Sequence, residues 1–548
     1  MSMSKKKKSF ASNALLYTLF VVGVVVVVNL ISTRMFGRMD MTEKKVYSLS
    51  ASSKDLVKKL DDPMTVKAFI STDLPPEIKQ VARFVRDQLD EYKSASGGKF
   101  RWESVDPGED KKLEEEATRC KVQKITIQVM RNSKIELGTH YMGVCLQYGD
   151  KVEAIPQIGR TEGLEYQISS LIKKMAVKKK KIAFTTGHGE FDLSQGFQAL
   201  KQPIEQEYDV TSVNPSSAEI AADVDALVVG GPKQALDEKA QKEIDRFIMT
   251  GKGVVFLAPA VAVSSPNNQQ GMMGAMAQLQ MLQSNETGLG KVLEAYGFKV
   301  GAGETLVDMK GAYYGTLDRR NLITAPLFVA AATEQASTLS MLEGIRGLVY
   351  PYASPVDLVG PLTGGNVPAG GKVWKIASTS ESTWIKSGFM VVNNDEVGKL
   401  KPEGAMKAHA LGYAYEGPLK SAFVTSAPAV SAGDKLPLAE TAKPVRMVVI
   451  GNAAFASDDW TQLAQHPLLR LYGNGAQMLY NAISWIGEDE ALVPLRAKGN
   501  DIRQIEAVSE GKASAIQWMN ILGLPFAFCL YGVGRWRVRK ANRSNQKL

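Results

Sequence analysis

Two spacings of apolar residues alternate along this chain, and each predicts a different element. Met64, Val66, Ala68 and Ile70 recur at every second position, the pattern of a strand with one buried face. From Pro76 to Ser94 the apolar positions fall instead at Ile78, Val81, Ala82, Val85 and Leu89, which lie on one side of a helix. Phe100 to Val105 returns to strand spacing, and Ile125 to Met130, Met142 to Tyr148 and Lys151 to Ile155 read as further strands. Ser50 or Ser52 is placed to cap a preceding helix that carries Leu56, Val57 and Leu60. A helix from about Glu162 to Met175 closes this small α/β unit.

A more regular alternation follows. Ile182 to Thr186 is a short apolar strand ending in Gly187-His188-Gly189-Glu190, and a helix then runs to about Glu207. Strands are expected at Tyr208 to Val213, Ala226 to Val229 and Val254 to Leu257. Asp237 caps a helix that reaches about Thr250, where Gly251 and Gly253 break it. Repeated strand–helix alternation predicts a parallel, doubly wound sheet of flavodoxin-like type. Strands with Gly- and Pro-rich turns are expected near 339–425, a flexible excursion from Ala427 to Lys443, a buried strand at Val445 to Gly451 and a helix at Gly475 to Ile486. The segment Ser264 to Ser284 is rich in Gln and Met. It reads as a surface loop with a transient helix, or as an adaptable partner surface carrying Met272, Met273, Met276, Leu279 and Leu282.

Charge changes this picture at the two ends. The net charge of +9 suggests a nucleic-acid partner until it is located. Lys5 to Lys8 supply four cations, and Arg535, Arg537, Arg539, Lys540, Arg543 and Lys547 supply six, with no acid in either tail. The remaining body is nearly neutral, so no nucleic-acid partner is expected. Beside each tail lies an uncharged stretch, Ala11 to Ser32 and Ala513 to Gly534. At about 1.5 Å per residue each spans about 33 Å, enough for a hydrocarbon core of about 30 Å. Positive flanks on the terminal sides then predict both termini in the cytoplasm, with the bulk of the chain extracytoplasmic or periplasmic at the cytoplasmic (inner) membrane. The expected domains are tails at 1–13 and 535–548, transmembrane helices at 14–34 and 513–534, an N-terminal α/β domain at 35–177 and a larger α/β domain at 178–512. Lys178-Lys179-Lys180-Lys181 reads as a solvated linker. Cys120 and Cys145 lie where a disulfide is permitted but not required, and Cys529 lies in the second stretch.

The search for chemistry excludes more than it finds. No G-x-x-x-x-G-K-[ST] is present, so the chain is not itself a P-loop ATPase. C-x-x-C, H-E-x-x-H and G-x-S-x-G are also missing, and His140, His188, His409 and His466 are far apart in sequence. No cofactor, metal or catalytic residue is expected. His188 and Glu190 stand out because they follow a buried strand and precede a helix, where open α/β sheets place ligand crevices. Asn452 and Asp458 occupy a second strand-end loop, where turn chemistry is the simpler reading.

These loops also carry a resemblance. The ordered set is Asp40-Met41-Thr42, Tyr47-Ser48-Leu49-Ser50, Gly187-His188-Gly189-Glu190, Val228-Val229-Gly230-Gly231-Pro232-Lys233, Gly251-Lys252-Gly253, Ile450-Gly451-Asn452, Phe455-Ala456-Ser457-Asp458, Gly473-Asn474, Asn481 and Trp485-Ile486-Gly487-Glu488. In this order the chain resembles the GldG-type auxiliary subunits of ABC transporters, named for a gliding-motility component. The resemblance implies a permease partner in the membrane and a separate cytoplasmic ATPase. It also implies a central domain akin to one shared with an intraflagellar transport protein and associated with carbohydrate binding.

Two functions follow as expectations. The first is a non-enzymatic transport subunit that binds cargo or couples ATP-driven permease motion to the cell envelope. Gln517, Asn520, Gly523, Gly532 and Gly534 would then pack against other helices in the bilayer. The second is an envelope polysaccharide-binding or glycan-processing protein using the His188 and Glu190 crevice, with other envelope proteins as further partners.

Overall fold

The computed structural model describes residues 18–24, 27, 48–108, 110–131, 134–264, 280–315, 322–333, 339–345, 347–365, 367–392, 400–424, 438–499 and 510–544. The basic N-terminal tail, most of the first apolar stretch, the Asp40 to Tyr47 match and Met272, Met273, Met276 and Leu279 lie outside these residues. So does most of the expected excursion after Ala427. The chain divides into two compact units, residues 1–500 and 501–548.

The first unit begins with helix α1 (Ala51–Lys58), whose Ser50 cap accepts a hydrogen bond from Ser53 N. Strand β1 (Met64–Ile70), helix α2 (Pro76–Ala95), strand β2 (Phe100–Val105) and helix α3 (Lys111–Arg119) follow. Then come β3 (Lys124–Arg131), β4 (Lys134–Tyr148), β5 (Lys151–Ile155) and helix α4 (Leu164–Ala176). The strands form one sheet in the order β2-β1-β4-β3, with β5 on β4; β1 and β2 are parallel and the other pairs antiparallel. Val57, Val66, Val85, Leu89, Val144, Ile168 and Ile172 fill the core between sheet and helices. Cys120 and Cys145 form a disulfide.

The larger sheet starts with β6 (Lys181–Thr185), followed by α5 (Gln198–Glu207), β7 (Asp209–Val213), β8 (Ala226–Gly230), α6 (Glu238–Met249) and β9 (Gly253–Leu257). It is completed by β10 (Phe328–Thr333), β11 (Gly347–Pro351), β12 (Lys372–Ser378), β13 (Ala410–Gly417) and β14 (Val445–Ile450). Behind it in the chain come α7 (Asn474–Ile486) and α8 (Val493–Gly499). The nine strands lie in the order β11-β10-β12-β13-β14-β9-β8-β6-β7. Strands β7, β6, β8, β9 and β14 are parallel, and β10 to β13 continue the sheet antiparallel. Alternate residues face opposite layers, as period-2 geometry requires. Phe184, Val228, Leu257 and Ile450 pack with Leu200 and Ile204 of α5 and Met478 and Ile483 of α7. Ala183, Leu227, Phe256 and Val449 pack on the other face with Ile244, Phe247 and Ile248 of α6.

Two expectations are corrected here. The sheet is mixed rather than a doubly wound parallel sheet, because parallel neighbours need long crossovers whereas β10 and β11 follow each other closely enough to pair antiparallel. The flanking membrane helices are also overturned: among the described residues, no helix is long and apolar enough to cross a membrane. Helix α9 (Glu510–Ser544) has 35 residues, but Gln517, Asn520, Pro525, Tyr531 and two tryptophans dilute its apolar content. The expected inner-membrane location with cytoplasmic termini rested on those two spans and falls with them.

Candidate functional site

Strand ends and one helix junction hold the polar residues that bear on function. After β6, the chain turns through Gly187 at φ 105° and Gly189 at φ 75°. A Cβ at Gly187 would lie 2.4 Å from Asn214 Nδ2, so the loop cannot accept a larger residue without moving. The turn directs His188 and Glu190 inward, where both are buried. The Glu190 carboxylate accepts from His188 N at 2.7 Å, and Ser216 Oγ lies 3.2 Å from His188 Nε2. His188 Nδ1 and Glu190 Oε1 are 3.5 Å apart, and neither has a hydrogen-bond partner among the described residues. The loop after β8 closes over this pair: Lys233 N and Gln234 N both donate to His188 O, at 2.9 and 3.0 Å.

The second strand-end loop packs on the same edge of the sheet, since a Cβ at Gly231 would meet Ala453 at 2.5 Å. Its two candidate ligands are engaged internally. Asn452 Nδ2 donates to Pro351 O at 2.6 Å, and its Oδ1 accepts from Phe455 N at 2.7 Å. Asp458 accepts from Gln198 N and Ala199 N, at 2.7 and 2.8 Å, and so caps the start of α5 from 260 residues away. Gln517, Gly523, Gly532 and Gly534 lie exposed on α9, which also carries Asn520. No group of three or more residues among those described is placed to hold a metal ion.

The densest polar cluster lies elsewhere, around α4. One side of this helix holds the start of α1. Glu165 accepts from Ser50 N at 2.7 Å and from Ser53 Oγ at 2.8 Å, while Tyr92 OH reaches Ser169 Oγ at 2.6 Å. The other side holds the larger sheet's helices. Lys173 Nζ lies 2.6 Å from Asp489 and 3.4 Å from Glu207. Glu207 also accepts from Tyr166 OH at 2.9 Å, Tyr480 OH at 2.5 Å and Arg496 Nη2 at 3.0 Å. Arg496 donates further to Asn481 Oδ1 and Ser484 Oγ, and its guanidinium stacks 3.6 Å from the Tyr480 ring centroid.

Burial works against ionising Glu207, yet the Arg496 and Lys173 charges and the tyrosine hydroxyls outweigh it and hold the carboxyl below its usual range. Burial also drives the Tyr480 and Tyr208 hydroxyls upward, so both stay protonated donors. This arrangement has the character of a charge-neutral latch and contains no activated nucleophile. Sequence reading missed it. One signal was present: Glu207 ends a helix, where the macrodipole disfavours a carboxylate unless a cation stands by.

Comparison with known proteins supplies the broader frame. Residues 179–482, more than half of the chain, match a protein family described as ABC-type uncharacterized transport system. Residues 43–147 match a domain of unknown function. An uncharacterized protein of Borreliella burgdorferi is 20% identical over 418 residues, covering 70% of this chain and 74% of that protein. Among solved structures, the chain is similar to the mmIFT52 N-terminal domain, with 11% identity, 56% of this chain and 97% of that one covered, and a TM-score of 0.32. It is also similar to a glutamine amidotransferase from Thermotoga maritima, with 8% identity, 59% and 96% covered, and a TM-score of 0.22.

Proposed function

We propose a role that starts from one premise: this chain belongs to the ABC-type uncharacterized transport system family. The chain is a non-catalytic auxiliary subunit that assembles with a permease and a separate ATPase and relays movement between them. The supporting observation is the two-sided grip of α4. Its Glu165 and Ser169 hold the residues that open α1, and its Lys173 holds Asp489, four residues before α8. Displacement of either segment therefore pulls on the same helix. A relay needs a contact that differs between two transporter states, because equal affinity for both shifts nothing. The buried, directional pairs of the latch are the contact this reading assigns to that role.

Purification of the tagged full-length chain with its associated proteins tests the reading. An ATPase and a multi-span permease are expected in stoichiometric amounts. Lys173→Met should keep that complex together while lowering its ATP turnover several-fold. Recovery of the chain with neither partner would overturn the assignment. ATP turnover unchanged in a Lys173→Met complex would remove α4 from the relay.

A further inference from the structure

The lysine run between the two sheets does more than join them. Lys178 to Lys181 lead from the end of α4 directly into β6, and three of the four are pinned by the fold. Lys181 pairs with Asp223 at 2.9 Å, Lys180 donates to the carbonyl oxygens of Gly487 and Glu488, and Lys179 Nζ donates to Glu205 O at 2.6 Å. Of the pinned three, Lys179 borders a groove of about 450 Å³, and its contact with Glu205 fixes one charge at that rim. Lys174, Lys179 and Lys201 line that groove. Lys178 stands beside it among the residues of a smaller adjoining cleft.

The opposite wall is a row of carboxamides. Gln198, Gln202 and Gln206 recur every four residues along α5, so they share one face of the helix over about 12 Å. Each carboxamide offers two N–H donors and an acceptor.

Charge bookkeeping at the groove favours an anion. Lys174 is matched by Glu153 at 2.5 Å, and the buried pairs Lys173–Asp489 and Arg496–Glu207 neutralise each other. Lys178, Lys179 and Lys201 are left against the single carboxylate of Glu205. Lys179 spends one of its three donors on Glu205 O, while Lys178 and Lys201 form no ion pair or hydrogen bond among the described residues.

The charged donors are ammonium groups: no arginine lines the groove, so the bidentate guanidinium fork, which matches carboxylates and phosphates alike, is not on offer. Ammonium groups act as point charges, which suit tetrahedral oxygens bearing several negative charges. We propose that the groove between the lysine run and α5 binds a multiply charged anion of the phosphate class, with Lys178, Lys179 and Lys201 as its cations and Gln202 and Gln206 as its hydrogen-bonding wall. A free oligophosphate and a phosphate group carried on a polyol present the same chemistry to these residues.

Titration calorimetry on the full-length chain tests this with sodium tripolyphosphate and glycerol 3-phosphate as probes. Sodium sulfate at matched ionic strength is the reference. Saturable binding of at least one phosphate probe is expected, at least ten-fold tighter than sulfate; preference for tripolyphosphate would indicate a free oligophosphate, and preference for glycerol 3-phosphate a substituted one. Lys201→Glu and Lys178→Glu should each weaken it ten-fold or more, with an unchanged thermal midpoint. Lys291→Glu, at an exposed position outside the groove, should leave it intact. Equal responses to all three salts, or equal losses in all three variants, would overturn the proposal. If Lys201→Glu lowers the thermal midpoint, Gln202→Leu on the exposed wall takes its place and should also weaken binding.

Discussion

Glu207 shows how one carboxylate sets the terms for its neighbours. It is buried with Arg496 and Lys173 beside it, so replacing it strands a guanidinium that has almost no access to water. Breaking one partner of a buried pair costs about 3–5 kcal/mol. Glu207→Gln should therefore lower stability by about that amount in urea denaturation at neutral pH. The pH dependence has a definite sign. The carboxyl is depressed in the folded chain, so its contribution is full above the unfolded value, near 4.5, and is lost as pH falls through the folded value. Wild-type stability should fall over that acid window. The Glu207→Gln variant, starting lower, should show a flatter acid limb; parallel limbs in the two proteins would contradict the pairing. Asp458 makes the complementary point about what residues reveal in sequence. From its own loop its carboxylate reads as local turn chemistry, but its partners are the first N–H groups of α5, 260 residues earlier. Asp237 was legible because its partner, Ala240 N, lies three residues on. A cap inside its own turn can be read locally, and a cap delivered across the fold cannot.

At the scale of elements, the period-2 and helical spacings located most of the strands and helices that carry the cores. The β6, β8, β9 and β14 regions were legible because each carries a short, buried apolar run with Gly close by, unbroken in β8 and β9. Helix α3 was missed. It is mostly Lys and Glu, and Ala117 is its one buried residue, so its face has little apolar contrast. Strand pairing beyond β9 was illegible for a different reason, since spacing alone does not say whether a neighbour runs parallel or antiparallel. The disulfide offers a direct test at this scale. Cys120, which caps the end of α3, is tied to Cys145 in β4 at a sequence separation of 25. Closing a loop of that size stabilises by about 3.5 kcal/mol in the chain-entropy account. Cys120→Ser should lower the urea midpoint, and added reductant should bring the wild type to about the same value. A variant as stable as the oxidised parent would mean that helix and strand packing suffices without the bond.

For the whole molecule, the division after residue 500 makes a prediction about autonomy. The cores of the first unit draw on residues from Leu49 to Leu495. A chain ending at Asn500 should therefore keep a single cooperative thermal transition within a few degrees of the full-length protein, followed by circular dichroism. Loss of that transition would show that the second unit stabilises the first. Composition and charge placement drew attention to α9 from the sequence, although the helix runs past both ends of the uncharged stretch. What length and absence of charge misjudged was whether such a helix is apolar enough to span, because Gln517, Asn520 and Pro525 lower its mean hydropathy without adding charge.

The reach of the Arg496–Glu207 bond has a consequence for biosynthesis. The two residues are separated by 289 positions. A ribosome adding about 5–20 residues per second needs roughly 15–60 s to make the arginine after the glutamate has emerged. Throughout that interval Glu207 has Lys173, made 34 residues earlier, but not the Arg496 guanidinium that contacts it at 3.0 Å in the finished fold. Full neutralisation of the carboxylate that ends α5 therefore waits for a guanidinium made late in synthesis.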